Sequence, residues 1–191
     1  MKLWNISDPT HATVVATLIG HTDSVEGVAF SPNRSMLATT GSDRTIKLWN
    51  VSDPGRPALL ATLPARNVPG RQVFTQAVAF GTDGRLLATT GYKITTLWNV
   101  SDPTRATVVA TLKGHIHSVD GVAFSPNGRT VATASYDRTV RLWNVSVPAR
   151  PTMVATLTGH SDYVDKVAFS PSGRLVAAAA GDGTIIVWRL S

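Results

Sequence analysis

The sequence predicts an all-β fold in which one antiparallel unit is repeated along the chain. Five tryptophans support this prediction, because Trp4, Trp49, Trp98, Trp143 and Trp188 follow one another at intervals of 45, 49, 45 and 45 residues. In four of the five cases the tryptophan lies in the segment Leu-Trp-Asn. The 11 prolines and 15 glycines supply the turn signals expected between many short strands. A period of this length is typical of repeat architectures.

A second recurring segment, Val-Ala-Phe, marks the first strand of each complete unit, at 28–30, 78–80, 122–124 and 167–169. In the best-preserved unit we expect strands at 119–124, 130–134 and 139–144. Ser-Pro-Asn-Gly forms the first turn, since proline fixes φ and glycine tolerates positive φ. A Ser-Asp-Pro loop then leads to an outer strand, and four such strands are expected at 12–18, 58–63, 106–112 and 152–157.

These units resemble the repeats of the WD40 family. The supporting residues are three Gly-His pairs and an aspartate in the turn before the tryptophan strand, namely Gly20-His21, Gly114-His115, Gly159-His160, Asp43, Asp137 and Asp182. Trp-Asn stands where the family usually has Trp-Asp. WD40 repeats form β-propellers whose blades are four-stranded antiparallel sheets around a central channel. The resemblance, closest to bacterial WD40 arrays of signalling proteins, implies WD40-type blades in a four-blade ring or in half of a larger propeller.

Residues 1–191 are expected to form a single WD40 repeat domain, with a partial blade at 1–18 and repeats at about 19–63, 64–112, 113–157 and 158–191. The strand at 12–18 can complete the last blade, as in the usual latch between the ends of a propeller. The strand ending in Trp4 competes for the same place. We therefore expect either a segment of a longer array or half of an eight-blade ring made by two copies.

The second unit departs from the others, with five extra residues around 64–72 and neither the Gly-His pair nor the turn aspartate. Two interpretations stay open. The unit is a decayed copy, or its insertion is a place where a partner is held.

The resemblance also implies a buried structural tetrad in each regular unit. Its members are His21, Thr39, Asp43 and Trp49; His115, Thr133, Asp137 and Trp143; and His160, Asp182 and Trp188, with Ala178 at the hydroxyl position. Buried imidazole and indole groups need hydrogen-bond partners, which such a set supplies. A hydroxyl, a histidine and an aspartate also form hydrolase triads. Here the set recurs with the repeat and no Gly-x-Ser-x-Gly motif accompanies it, so we predict no catalytic residue and no enzyme.

Other classes of function find little support in the sequence. His115 and His117 have no acidic or cysteine ligands at metal-like spacing, so no metal is predicted and His117 is expected to face solvent. No phosphate-binding or dinucleotide motif predicts a cofactor. The net charge is +6, but the basic residues are scattered through turns, which disfavours nucleic-acid binding. Neither a membrane-length apolar run nor a signal peptide is present, so a cytoplasmic location is expected.

The loops before the first strand and before the tryptophan strand are where partners often dock in this family. These positions vary between units, and exposed aromatics beside acidic residues are suitable contact material. The candidate partner-binding residues are Asp23, Glu26, Phe74, Gln76, Tyr92, His117, Asp120, Tyr136, Asp162, Tyr163 and Asp165. The sequence thus predicts a protein–protein interaction scaffold or docking module with an unidentified protein partner. The alternative is a self-assembling fragment that forms an eight-bladed homodimer without a further partner.

Overall fold

The computed structural model describes residues 1–65 and 75–190, which form sixteen strands and two short 3-10 turns at Pro9–His11 and Pro103–Arg105. No helix in these two ranges is long and apolar enough to cross a membrane. The strands are β1 Lys2–Asn5, β2 Thr13–Thr17, β3 Val25–Phe30, β4 Met36–Gly41, β5 Thr45–Asn50, β6 Ala58–Pro64, β7 Val78–Phe80, β8 Leu86–Thr90, β9 Tyr92–Asn99, β10 Thr107–Phe124, β11 Thr130–Ser135, β12 Val140–Asn144, β13 Thr152–Leu157, β14 Val164–Phe169, β15 Leu175–Ala180 and β16 Ile185–Arg189.

The strands form consecutive antiparallel blades, which confirms the predicted fold class. Strands β3 to β6 make blade 1, and β7, β8, β9 and the first half of β10 make blade 2. The second half of β10 begins blade 3, which β11 to β13 complete, and β14 to β16 make blade 4. An N-terminal sheet of β1 and β2 precedes them. The inner strands of neighbouring blades are adjacent, since β3 contacts β7, β7 contacts β10 and β10 contacts β14.

Most predicted strands agree with the structure to within one or two residues, and β10 is the exception. The expected strands at 106–112 and 119–124 are joined into one strand of 18 residues. The connecting residues stay extended because Lys113 pairs with Ile94 and Ser118 pairs with Tyr92 of β9. The shortened turn of the second unit lets β9 begin at Tyr92, far enough along to make these pairs.

Of the two alternatives for β2, pairing with the last blade or with the strand that contains Trp4, the structure has the second. Strand β2 pairs with β1, with Lys2 opposite Thr17 and Leu3 opposite Ala16. The N-terminal strand thus takes the third-strand position beside β2 that β16 would need. Blade 4 consequently has three strands in the structure, and β16 pairs with β15 alone among the described strands.

Each blade packs its forward face, the one towards the following blade, onto the back face of that blade. Between blades 1 and 2, Ala38, Ile46 and Leu48 pack against Leu87 and Trp98. The same contact recurs between blades 2 and 3 and between blades 3 and 4. Burial of each large aliphatic side chain contributes about 1.5–3 kcal/mol. The repeated apolar positions therefore set the spacing and order of the blades.

The forward face of blade 4 is uncovered, and the N-terminal sheet covers the back face of blade 1 only in part, with Leu3 and Leu18 packed against Leu37 and Trp49. On the back face of blade 1, Phe30 is 58% exposed, and on the forward face of blade 4, Val187 is 56% exposed. The residue of blade 1 that corresponds to Val187 by register is Leu48, which is 0% exposed. Trp4 also lies half-exposed beside an open hollow of about 910 Å³ that Val15 and Phe30 help to line. Both ends thus present apolar surface of the kind that is buried between blades elsewhere.

Candidate interaction surface

The structure brings the tetrad of blade 1 into one hydrogen-bonded chain. Trp49 Nε1 donates to Thr39 Oγ1 at 3.0 Å, which lies 2.8 Å from His21 Nε2, and His21 Nδ1 lies 2.9 Å from Asp43 Oδ2. If the imidazole is neutral with its proton on Nδ1, each polar group of the tetrad has a hydrogen-bond partner of the right kind. The indole then donates to the hydroxyl, the hydroxyl to Nε2, and Nδ1–H to the carboxylate.

Blade 3 repeats this chain with the same partners. Trp143 Nε1 lies 2.9 Å from Thr133 Oγ1, His115 Nε2 lies 2.8 Å from the same oxygen, and His115 Nδ1 lies 2.7 Å from Asp137 Oδ2. Each network links the second and third strands of its blade to the segment before the first strand, which is a loop in blade 1 and the middle of β10 in blade 3. The networks therefore hold these three segments together in blades 1 and 3.

A threonine two residues after each tetrad aspartate extends the network, and sequence reasoning missed it. The hydroxyls of Thr45, Thr139 and Thr184 donate to the aspartates at 2.8, 2.6 and 2.6 Å. The signal was present as Asp-x-Thr in all three units. Backbone N–H groups of Thr22, Ile116 and Ser161 donate to the same carboxylates.

These contacts keep the tetrad carboxylates ionised. Burial alone would raise the pKa of Asp43, but hydrogen bonds from Thr45, the Thr22 N–H and His21 outweigh it and lower the pKa to about 2. The same balance puts the pKa of Asp137 well below its ordinary value, with burial opposed by bonds from His115 and Thr139. In blade 4 the hydroxyl of Thr184 leads the bonds that lower the pKa of Asp182.

The network of blade 4 is incomplete. His160 Nδ1 lies 3.3 Å from Asp182 Oδ2, but His160 Nε2 is buried without a hydrogen-bond partner. Ala178 occupies the position of Thr39 and Thr133 and offers no hydroxyl. The indole of Trp188 instead meets the imidazole edge to face at 5.8 Å.

Blade 2 keeps only the first link of the chain. Trp98 Nε1 donates to Thr89 Oγ1 at 2.9 Å. Sequence reasoning did not include this pair, although Thr89 stands two residues before Gly91 as Thr39 stands before Gly41.

The tetrads have the connectivity of a hydrolase triad but not its accessibility. Thr39 and Thr133 are fully buried, and each oxygen already accepts an indole N–H. A nucleophile must reach the substrate, and these hydroxyls cannot. Within residues 1–65 and 75–190, no cluster of three or more His, Asp or Glu side chains could hold a metal ion. The arrangement is suited to holding a blade together.

Four aromatic side chains form a continuous row across blades 2, 3 and 4. Tyr92 meets His117 edge to face at 6.0 Å, His117 stacks on Tyr136 at 5.6 Å, and Tyr136 stacks on Tyr163 at 4.6 Å. The Tyr163 ring rests on Gly181, where an added Cβ would come within 2.5 Å of it. We call these four side chains the aromatic row.

The row lies on what we call the upper face, the ends of the blades where the first strand begins and the second strand ends. Tyr92 opens β9 and Tyr136 follows β11 directly, while Tyr163 directly precedes β14. Backbone hydrogen bonds fix these ends, since the Tyr136 N–H donates to Ser118 O at 2.9 Å and the Gly181 N–H donates to Tyr163 O at 2.8 Å. His117 is exposed, as expected, but its ring lies between two tyrosines.

Carboxylates accompany the row in blades 3 and 4. Asp120 is only 4% exposed, and Ser118 Oγ donates to it at 2.8 Å. Burial raises the pKa of Asp120, and the charge of Asp165 adds to the effect. Burial also raises the pKa of the Tyr136 phenol, helped by Asp120, Asp165 and Asp162. Across the described part of the chain, none of these three aspartates takes part in an ion pair.

The remaining candidate residues lie apart from the row or outside the described residues. Asp23 and Glu26 are exposed on blade 1, where Ser42 Oγ donates to Glu26 at 2.6 Å. Gln76 is half-buried just before β7. Phe74, like most of the inserted segment around 64–72, falls outside the described residues. Sequence reasoning selected every member of the row but not their stacking, which depends on the distance between blades.

Three segments of the chain match the family model described as WD domain, G-beta repeat, at residues 12–50, 106–144 and 151–189. Together they cover more than half of the chain. The chain belongs to the WD40 repeat family. Each matched segment begins at an outer strand and ends at a tryptophan strand, so the tetrad residues of blades 1, 3 and 4 all lie within WD40 matches.

Comparison of this WD40 chain with curated protein sequences gives no significant match. Among solved structures it is similar to that of U3-55K, with a TM-score of 0.75 and 28% sequence identity. The alignment covers 91% of this chain and 51% of the U3-55K chain. The WD40 blades described here thus span about half the length of that protein.

Proposed function

We propose that this WD40 chain is a non-catalytic protein-interaction scaffold that docks a protein partner on its upper face. The observation that carries the proposal is that repeated and variable polar residues lie in different places. Those repeated in every regular unit are buried in hydrogen-bond networks, whereas those that differ between units gather on the upper face. A cytoplasmic role in signalling assemblies belongs to the same proposal and draws on the resemblance to bacterial WD40 arrays.

The aromatic row has properties that favour protein docking. Tyrosines supply large amphipathic contact area at low conformational cost, and they are enriched at binding hot spots. Stacking and backbone hydrogen bonds already restrain Tyr136 and Tyr163, so a partner would lose little free energy in ordering them.

A site-specific photocrosslinker tests this proposal. Benzoylphenylalanine at His117, on the upper face, is expected to give a discrete adduct in cells that naturally make the protein. The matched control places it at exposed Arg129, in the turn at the opposite end of blade 3. The crosslinked protein, identified by mass spectrometry, must then bind the purified chain. Adducts of equal yield at both positions, or none at His117, would contradict docking on the upper face.

A second candidate function is self-assembly into a larger ring, favoured by the apolar surface that is exposed at the two ends of the arc. Val187 of blade 4 and Phe30 of blade 1 are exposed where their counterparts are packed between blades. A second copy could cover the forward face of blade 4, because faces of this kind pack onto the next blade at every internal junction, together with the part of the blade 1 back face that the N-terminal sheet leaves exposed. We propose a two-fold dimer as the form this would take.

Light scattering after size-exclusion chromatography tests the dimer. The wild-type chain should elute with twice the monomer mass, and Val187→Lys should elute as a monomer. Val147→Lys is the matched control, since Val147 is equally exposed but lies in a loop away from the blade faces. A wild-type monomer at high protein concentration would rule out this form of self-assembly.

A further inference from the structure

We propose that the upper face between blades 3 and 4 binds an arginine side chain of the docked partner. The site comprises Asp120 and Asp165, flanked by Tyr136 and Tyr163. This inference rests on the proposed scaffold function and specifies the chemistry of the partner.

The first reason is a buried carboxylate without a cation. The Asp120 residue is only 4% exposed, yet the side-chain hydrogen bond it accepts comes from a neutral hydroxyl, that of Ser118. Asp165 lies on the adjoining strand, since a Cβ added at Gly121, next to Asp120, would come within 2.7 Å of the Asp165 carbonyl oxygen, and the Asp165 charge acts on Asp120. A buried charge is stable only when it is paired or well hydrogen-bonded, so a cation from a partner would relieve an existing cost.

The second reason is how the carboxylates are distributed among the blades. Glu26, Gln76, Asp120 and Asp165 occupy the same place in the first strand of blades 1 to 4, two residues before the Val of Val-Ala-Phe. The neutral glutamine separates the charge of blade 1 from those of blades 3 and 4. Glu26 is exposed, and no member of the aromatic row lies in blade 1. Adjacent carboxylates beside tyrosines therefore occur only at blades 3 and 4 within the described chain.

The third reason concerns which cation fits. Both faces of Tyr136 are covered, by His117 and by Tyr163, and the other side of Tyr163 is covered by Gly181. The rings thus offer edges and phenolic oxygens rather than faces for stacking a cation. A guanidinium group carries five N–H donors in a planar fork and is weakly hydrated, so it can bridge two carboxylates and a phenolic oxygen at a partly buried place. An ammonium group is compact and strongly hydrated, and it fits less well.

Within residues 1–65 and 75–190, no positively charged side chain forms a salt bridge with either aspartate. Lys166 and His117 act on Asp120 through space, but neither makes an ion pair with it, and both side chains are exposed. Lys93 lies at the other end of the row, 5.3 Å from the centre of the Tyr92 ring. An incoming arginine would therefore meet the two aspartates without displacing a salt bridge.

Nuclear magnetic resonance with a defined probe tests the assignment. The probe is the blocked peptide acetyl-Gly-Arg-Gly-amide, titrated to about 10 mM into the full chain labelled at tyrosine. We expect saturable shifts of the Tyr136 and Tyr163 ring signals. The peptide with citrulline in place of arginine keeps the shape without the charge and should bind at least about tenfold more weakly. The lysine peptide should bind several-fold more weakly than the arginine peptide.

Two matched variants locate the site. Asp120→Asn should weaken binding of the arginine peptide about tenfold, and because it removes a buried charge it should leave the fold intact. Glu26→Gln changes the corresponding residue of blade 1 and should leave binding unchanged. Asp165→Asn provides a second loss-of-binding variant.

The outcomes separate this inference from the proposed function. Absence of ring shifts, equal binding of the citrulline or lysine peptide, or equal effects of Glu26→Gln and Asp120→Asn would overturn the arginine assignment. If the His117 crosslink nevertheless forms, the scaffold function stands and only the chemistry of its partner is wrong. If the arginine peptide binds as expected but no crosslinked partner is found, the site stands and the scaffold function loses its support.

Discussion

The buried imidazoles of this protein differ in how completely they are hydrogen-bonded. His115 joins Thr133 through one ring nitrogen and Asp137 through the other. His160 has partners at Nδ1 only, because Ala178 leaves its Nε2 without one. Identical residues at identical repeat positions should therefore contribute unequally to stability.

Alanine substitution of the two histidines measures this inequality. His115→Ala should lower the free energy of unfolding by about 1–3 kcal/mol, since it strands the Thr133 hydroxyl and the Asp137 carboxylate. His160→Ala should have a smaller effect, because it also removes an unsatisfied buried nitrogen. Urea unfolding followed by tryptophan fluorescence gives both values. Equal losses for the two variants would contradict the ranking.

Restoring the missing hydroxyl should stabilise blade 4. Ala178→Thr places an oxygen between His160 Nε2 and the indole of Trp188, as Thr133 does in blade 3. One or two new hydrogen bonds should raise the free energy of unfolding by about 1 kcal/mol. Ala178→Val adds similar volume without a hydroxyl and serves as the control. A gain of the same size from valine would assign the effect to packing instead.

Residue-scale prediction from sequence succeeded or failed according to whether a feature repeats. His21 and Asp43 could be paired in advance because the same types recur in the third unit, and Thr45 could have been added by the same reasoning. The stacking of Tyr136 on Tyr163 could not, because the two lie in different blades and occur once. Burial of Asp120 depends on that same single contact region.

At the scale of strands and turns, one glycine determines how the aromatic row ends. Gly181 follows β15 in blade 4, at the position that Tyr136 occupies in blade 3. Because Gly181 has no side chain, the Tyr163 ring can lie directly on its backbone and face Tyr136.

Gly181→Ala should disrupt the end of the row. Its Cβ would stand 2.5 Å from the Tyr163 ring, so the ring must move away from Tyr136. We expect altered ring-current shifts for Tyr136 and a loss of stability on the order of 1 kcal/mol. Gly55→Ala, in an exposed loop where the nearest atom to a Cβ is 3.4 Å away, is the control. Unchanged Tyr136 shifts would show that the packing on Gly181 is unimportant.

Strand pairing shows where local patterns stop being informative. The composition of β1, β2 and β16 predicts three strands, but β1 and β16 are both tryptophan strands and are equally suitable neighbours for β2. Proximity along the chain decides in favour of β1, since a short loop closes at lower entropic cost than a long one. The merger of two strands into β10 has a similar origin, in a deletion within the neighbouring β9 turn.

For the molecule as a whole, the tetrad aspartates predict a stability that falls in acid. The pKa of Asp43 is about 2 in the folded chain, below the value of about 4 expected when unfolded. The ionised carboxylate therefore stabilises the fold fully above about pH 4, and this contribution is lost as the pH falls towards 2. Asp137 and Asp182, whose pKa values are also lowered, act in the same direction.

Urea midpoints measured between pH 7 and pH 2 should be constant in the upper half of this range and fall in the lower half. Asp43→Asn should be less stable at neutral pH but should lose less stability on acidification. The variant lacks one of the carboxylates whose pKa is lower in the folded than in the unfolded chain. Lys2→Gln, at an exposed residue that is not a member of any tetrad, is the control. An acid dependence of the same steepness in Asp43→Asn would mean that other carboxylates govern it.

The uninterrupted course of β10 has a mechanical consequence for the arc. One strand of 18 residues belongs to blades 2 and 3 at once, so these two blades should move as a rigid plate. Any bending of these two blades against blade 4 should then be concentrated at the junction of blades 3 and 4, where Tyr136 and Tyr163 stack at 4.6 Å. A ligand held between Asp120 and Asp165 would span the same junction. The distance between the stacked Tyr136 and Tyr163 rings would therefore report how far the junction between blades 3 and 4 opens.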